Sequence, residues 1–151
     1  MKIIYTANLI ATDKDRNVLL VKRVPKNGET SSWSLPGGTR KESENIKDTL
    51  MREIQEELGS KIKRYRQFKT YKSIYKDKIV ISYYFIGIIE QPITLNKKEL
   101  SKYKWFSITD IPNGLAFNQN RVLNDFIKWL TRTKKINGFK IRIGEKNFYF
   151  N

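Results

Sequence analysis

The stretch NIKDTLMREIQEEL, residues 45–58, sets Ile46, Leu50, Ile54 and Leu58 four positions apart, with Met51 beside them and Gly59 immediately after. An apolar residue every fourth position marks one face of an α-helix, and glycine readily adopts the left-handed conformation in which helices end. The chain must therefore offer this helix a flat apolar surface to lie on. Residues 2–11 and 18–22 are rich in Ile, Leu and Val and, with the turn formers of 13–17 between them, read as a hairpin.

The rest of the chain punctuates itself. Residues 24–32 have the composition of a loop, Trp33-Ser34-Leu35 is a short extended piece, and Pro36-Gly37-Gly38 is expected to break regular structure before the helix. Residues 61–75 and 79–89 predict a second hairpin, although Tyr65, Phe68 and Tyr71 stand three apart rather than in a strand's period of two. Tyr103 to Ile108 predicts a further strand, and Pro112-Asn113-Gly114 a loop. A second helix opens near Asn118 or Asn120, either of which can cap it, and packs Val122, Leu123, Phe126, Ile127 and Leu130 on one face. Alternation of Phe139, Ile141 and Ile143 with polar residues, and a turn at 144–147, predict a C-terminal hairpin over 136–151. With no repeat and no interdomain linker, strands interleaved with two helices predict one domain over 1–151, of the α/β (α+β) class.

Composition removes several kinds of chemistry. The chain has no cysteine and no histidine, so thiolate zinc sites, cysteine nucleophiles and Ser-His-Asp triads are excluded. A general base must be a carboxylate, a lysine, a tyrosine or a metal-bound hydroxide. The longest apolar stretch, residues 79–89, is too short to span a bilayer, and the N-terminus is a poor secretory signal, so no membrane partner and a cytoplasmic location are expected. A formal net charge of +15, and the interleaved basic and aromatic residues of KIKRYRQFKTYK (61–72), suit a polyanionic partner, RNA among them.

Against that charge, Glu53, Glu56 and Glu57 crowd one helix. At about 100° per residue they span roughly a third of its circumference, with Glu57 at the margin of the apolar face. Carboxylates so placed repel one another and are costly to bury unless paired or bound to a cation, and hard divalent ions prefer such oxygen ligands. Glutamates three and four apart can equally be a solvated helix face; the surroundings decide. Read outward, the segment is Gly38, five residues, Glu44, seven residues, then Arg52-Glu53-Ile54-Gln55-Glu56-Glu57-Leu58-Gly59. It resembles the signature of the Nudix hydrolases, whose seven fixed residues would coincide at a given site with a chance on the order of 10⁻⁸. Ser60 departs from the aliphatic residue common after the last glycine. With the Trp33-Ser34-Leu35-Pro36-Gly37-Gly38 approach and the order of the elements, the resemblance extends over residues 2–130.

The resemblance implies a mixed β-sheet sandwiched between helices, here with an added C-terminal β-hairpin, and hydrolysis of a diphosphate linked to another moiety with Mg²⁺ or Mn²⁺. It implies metal ligation by Glu53, Glu56 and Glu57 with the carbonyl of Gly37 or Gly38, and helper roles for Glu44 and for Arg52, which orients a glutamate. The general base is a glutamate of this run or one from a later loop, for which Glu99 is the candidate. A chain of this kind most resembles the MutT-type enzymes, which convert a nucleoside triphosphate, in some cases an oxidised purine nucleotide, to the monophosphate and pyrophosphate. Lys22 and Arg23 are then candidates for the substrate phosphates, with Gly37 and Gly38 beside them. Asn118 or Asn120 is the candidate for a purine edge, and Phe85, Phe117 or Tyr83 for stacking on a base. An RNA 5′-end pyrophosphohydrolase and a noncatalytic nucleotide- or RNA-binding module are the alternatives, and both a monomer and a homodimer are open.

Overall fold

The computed structural model describes residues 1–28, 30–134, 140–143 and 146–149. Lys2–Ala11 (β1) is its spine. On one side β1 pairs in parallel with Lys78–Ile89 (β6), from Lys2 opposite Lys78 to Ala11 opposite Gly87; on the other it pairs antiparallel with Gly37–Thr39 (β4). Ile62–Ile74 (β5) completes this sheet antiparallel to β6, giving the order β4-β1-β6-β5. Asn17–Arg23 (β2), Trp33–Ser34 (β3) and Leu100–Ser107 (β7) form a second, antiparallel sheet in the order β3-β2-β7.

Successive strand residues face opposite ways, and both faces find a helix. Ala7, Leu9 and Ala11 of β1, with Leu19 and Val21 of β2, pack with Leu50, Ile54 and Leu58 of Ile46–Leu58 (α1). Ile10, Val18 and Leu20 pack instead with Val122, Leu123, Phe126, Ile127 and Leu130 of Gln119–Lys134 (α2). Each helix therefore uses the apolar face expected of it. The result is an α+β fold of mixed sheets between helices.

α1 is held at both ends, at its C-terminus as its sequence predicts. Asn45 Oδ1 accepts from the Asp48 amide at 2.8 Å, and Gly59 closes the helix at φ 58° with its N–H on the Gln55 carbonyl. Ser60, where an aliphatic residue is usual, is buried and donates its hydroxyl to the Glu90 carbonyl, so the exchange leaves no polar atom stranded there.

Four local readings change. β1 and β2 are not a hairpin: they enter different sheets, and among the described residues the ladder between their ends is limited to the bridge Thr12–Val18. Each has two apolar faces to bury and takes its own partners, while the Asp13 carboxylate closes the turn by accepting from the Asp15 and Asn17 amides and from Asn17 Nδ2. The glycines after Pro36 do not break structure but form β4, since only a residue without a side chain can come this close to β1: a Cβ on Gly37 would stand 2.2 Å from the Ala7 carbonyl oxygen. The three-residue spacing of aromatics in β5 is accommodated by a register shift between Gln67 and Lys69. That bulge sends Phe68 and Lys69 both toward α2, where Phe68 meets Phe126 and Trp129 edge-on and Lys69 lies 4.0 Å from Asp125. Neither asparagine starts α2 in the way expected. Asn118 has a left-handed φ of 56°, and the Asn120 side chain instead ties down the preceding loop, accepting from the Leu115 amide and donating to the Pro112 carbonyl.

Lys140–Ile143 (β8) and Lys146–Tyr149 (β9) pair antiparallel. The rest of the C-terminal segment, including residues 144 and 145 of the expected turn, lies outside the described residues. Among the described residues no helix is long and apolar enough to cross a membrane.

Candidate active site

α2 covers only part of the sheet face it packs on, the part around Ile10 and Tyr84. The remainder of that face is the floor of a cleft of about 800 Å³ built on three registered pairs, Ile4–Val80, Thr6–Ser82 and Asn8–Tyr84. β4 and Glu53 form one wall, and Ser73, Tyr75 and Lys78 of the β5–β6 hairpin another. Arg23, Lys98 and Glu99 stand at the rim, and Phe117 and Gln119 close the end next to α2.

The acidic run of α1 meets this cleft through β4. Gly38 lies flat on the Glu53 carboxylate, which a Cβ there would contact at 2.3 Å. Arg52 gathers the other acids. Its Nε and Nη2 grip both oxygens of Glu44 at 2.7 and 2.9 Å, while Nη1 reaches Glu53 at 2.8 Å and Glu56 at 3.2 Å. Its remaining donor goes to the Thr39 carbonyl, so one side chain ties α1 to β4. The flanking carboxylates hold the guanidinium more firmly charged than usual.

Glu57 is the buried member, with a side chain 0% exposed. One oxygen accepts from the Gly37 amide at 2.9 Å and the other from Arg23 Nη1 at 3.0 Å, while Arg23 Nη2 donates to the Gly37 carbonyl. Desolvation pushes its carboxyl up to about 7, against the pull of Arg23 and the Gly37 amide, and neighbouring Glu53 adds to the rise.

Glu44 behaves oppositely. The Arg52 fork, and next the Lys41 amide, pull its carboxyl down to about 2 from an ordinary 4.5. A carboxylate depressed on folding contributes stability that is complete above pH 4.5 and fades as pH falls toward 2. Denaturation of the wild type and of Glu44→Gln across that window should show the wild type's advantage shrinking as the solution is acidified. A difference independent of pH would contradict the assignment.

All donors here are oxygens, which suits a hard divalent ion. Glu57, desolvated beside Glu53, has a charge that a cation would compensate, and the close fit of Gly38 on Glu53 leaves a backbone carbonyl near that carboxylate. The carboxylates nevertheless point at Arg52 and Arg23, and among the described residues no three acids converge on one point. Loading an ion therefore means exchanging part of the arginine contacts for the metal. Glu56, 42% exposed and held by the longest of these contacts, is the freest to do so.

Of the other residues named from the sequence, Arg23, Gly37, Gly38, Glu99 and Phe117 line the cleft. Five do not belong to its lining as expected. Lys22 turns its amine over the Trp33 ring, 5.1 Å from the centroid. Phe85 is 2% exposed in the core under α1, because its strand position puts it on the sheet face opposite the cleft, and Tyr83 packs on that same core. Asn118 and Asn120 are replaced by Gln119, which is buried and accepts from the Leu35 amide while donating to the Tyr84 hydroxyl. Gln119 carried a sequence signal, being polar one turn ahead of Leu123 on the apolar stripe. Asn8 carried another, interrupting an apolar run; its amide donates to Thr6 Oγ1 from the cleft floor.

A family model described as the NUDIX domain matches residues 2–130. An 8-oxo-dGTP diphosphatase of Buchnera aphidicola is 36% identical over 98 residues, 65% of this chain and 73% of that protein. An ADP-ribose pyrophosphatase of Methanocaldococcus jannaschii is 29% identical over 119 residues, 78% of this chain and 69% of that one. Among solved structures, a MutT Nudix hydrolase from Burkholderia pseudomallei superposes with a TM-score of 0.72 at 20% identity, covering 82% of this chain and 98% of its own.

Proposed function

The chain belongs to the Nudix hydrolase family, and on that premise we propose that it is a Mg²⁺-dependent nucleoside triphosphate pyrophosphohydrolase of the MutT type. It cleaves a phosphoric anhydride to release a nucleoside monophosphate and pyrophosphate, within a single domain and in the cytoplasm. One observation carries the reading. The acidic run and the Gly37-Gly38 backbone meet at one wall of a cleft whose far end is closed by the buried Gln119 and carries an exposed aromatic, Phe117. Phosphates belong at the first, and a base at the second.

Nudix hydrolases generally need a divalent metal ion, and here Glu53, Glu56 and Glu57 with the Gly38 backbone would hold one, supplying charge to the phosphoryl oxygens and acidity to a bound water. Mn²⁺ has the same ligand preferences and is expected to substitute. Arg52 aligns Glu53 and Glu56 from the protein side while spanning to Glu44, so the acids stay gathered without a ligand. Arg23 fixes Glu57 and the Gly37 carbonyl and keeps part of its guanidinium exposed toward incoming phosphate. Glu99, on the β7 side of the rim, is the candidate for taking a proton from the attacking water. At the other end, Asn8 offers a hydrogen bond to a base edge and Phe117 a face for stacking, while Gln119, bonded to Leu35 and Tyr84, shapes the end of the cleft.

The name of the Buchnera relative points to an oxidised purine deoxynucleotide, and that of the Methanocaldococcus relative to a nucleoside diphosphate sugar. Initial rates on 8-oxo-dGTP, the four dNTPs and ADP-ribose, with Mg²⁺ and with Mn²⁺, separate these. A triphosphate should be the best substrate, with pyrophosphate formed in equal amount to monophosphate. ADP-ribose as the best substrate, or release of orthophosphate alone, would overturn the reading.

A further inference from the structure

A second cleft, of about 670 Å³, opens at the opposite end of β1 and β6. Along β1 the nearest lining residues of the two clefts, Asn8 and Thr12, are four residues or about 13 Å apart, and α2, packed on Ile10 and Tyr84, lies between them. Its rim carries four cations, Lys14 and Arg16 from the β1–β2 turn and Arg64 and Arg66 from β5. Its floor is apolar, with Ile86 and Trp129. Arg64 pairs opposite Ile88 and Arg66 opposite Ile86, so the two arginines share one sheet face about 7 Å apart.

Among the described residues none of the four cations takes part in an ion pair, and Arg66 instead lies over the Trp129 ring at 5.3 Å. The lone acid in the lining, Asp13, spends both carboxylate oxygens on its own turn. No acidic residue occurs between Glu57 and Asp77, a stretch that includes all of β5. Exposed basic residues on an edge strand can serve only to prevent strand addition. That purpose requires neither a concavity nor an apolar floor, nor cations brought to it from a separate turn.

We propose that this second cleft binds single-stranded nucleic acid, with successive phosphates on Arg64, Arg66, Lys14 and Arg16 and a base against the apolar floor. Cations spaced along a strand beside an apolar surface match the alternating charged and flat units of such a ligand. The site is separate from the catalytic cleft, so occupancy does not depend on which nucleotide is hydrolysed there.

The test is fluorescence anisotropy of a labelled 12-nucleotide RNA and its DNA equivalent on the full chain in EDTA, from 50 to 200 mM salt. Four phosphate contacts predict log K against log salt with a slope of about −2.8. Arg64→Glu/Arg66→Glu should lose at least about 10-fold in affinity at 50 mM salt and about half of that slope, with Arg64→Gln/Arg66→Gln in between. Lys63→Glu/Lys72→Glu makes the same charge change on the same strand outside the cleft, and should stay within about 3-fold of wild type. Melting curves confirm that the variants are folded, and nucleotide hydrolysis should be unchanged in all of them. No binding by the wild type overturns the proposal, as do equal losses in both Glu pairs, which would mean diffuse charge. Displacement by a mononucleotide as effective as by the 12-mer overturns it too, since the ligand would then not be a strand.

Discussion

Glu53→Gln should lower kcat/KM for the best nucleotide by at least about 10² while leaving the melting temperature close to that of the wild type. The substitution keeps the volume on which Gly38 rests and keeps an oxygen for Arg52 Nη1, so the wall of the cleft retains its shape. What it removes is one negative charge at the carboxylate that lines the cleft. An ion held by neutral amide oxygens is bound less tightly and is less well placed for phosphates. Glu56→Gln should act in the same direction, since Glu56 shares the Arg52 contact. Glu57→Gln should do so as well, with added loosening of the Gly37 backbone that Glu57 anchors. Steady-state kinetics over a range of Mg²⁺ concentrations, alongside thermal melts, measure both halves. Activity within about 3-fold of wild type in all three variants at saturating Mg²⁺ would remove these carboxylates from the reaction.

The second large effect is on stability. Gly37→Ala should destabilise the protein by about 3 kcal/mol or more, a fall in Tm on the order of 10 °C for a chain of this size. Gly37 has φ 151°, in a region open almost only to glycine, and an added Cβ would meet the Ala7 carbonyl oxygen at 2.2 Å and the Asn8 Cα at 2.7 Å. These are backbone atoms of the central strand, so no side-chain rotation relieves the collision. β4 must lift away from β1, and with it goes the amide that the buried Glu57 relies on. Gly28→Ala is a fair comparison. Gly28 also has positive φ, 74°, but a Cβ there meets nothing within 4 Å, so only the conformational part of the cost remains. Equal losses from the two substitutions would show that contact with β1 contributes nothing.

How far the residues alone lead depends on the range of the forces concerned. α1 and its Gly59 stop follow from spacings within one helix, and the acidic run with its Gly38, Glu44 and Arg52 partners follows from a fixed pattern of 22 residues. Both are local, because helical hydrogen bonds and neighbouring carboxylates act over three or four positions. Strand partnership is not local. Residues 2–11 and 17–23 look like a hairpin because apolar runs flank a turn, yet apolar character says only that a face is buried, not which neighbour buries it.

The same limit governed the candidate contacts of the cleft. Phe85 and Tyr83 are plausible as base platforms from composition, but strand alternation sends both toward α1 and the Tyr84 between them toward Gln119. Which of two alternating faces stays open is settled only when α2 lands on one half of the sheet and leaves the other bare.

Family, helix and the chemistry of a clustered-carboxylate site were thus written in short-range spacing, which survives in an unfolded chain. The assignment of strands to two sheets, the engagement of Glu57 by Arg23 and Gly37, the choice of Gln119 over its neighbouring asparagines, and a basic cleft on the other side of α2 from the catalytic one all arose from folding. Each depends on groups distant in the chain, such as Arg23 and Glu57 or Leu35 and Gln119, whose meeting is fixed by packing and register rather than by either segment.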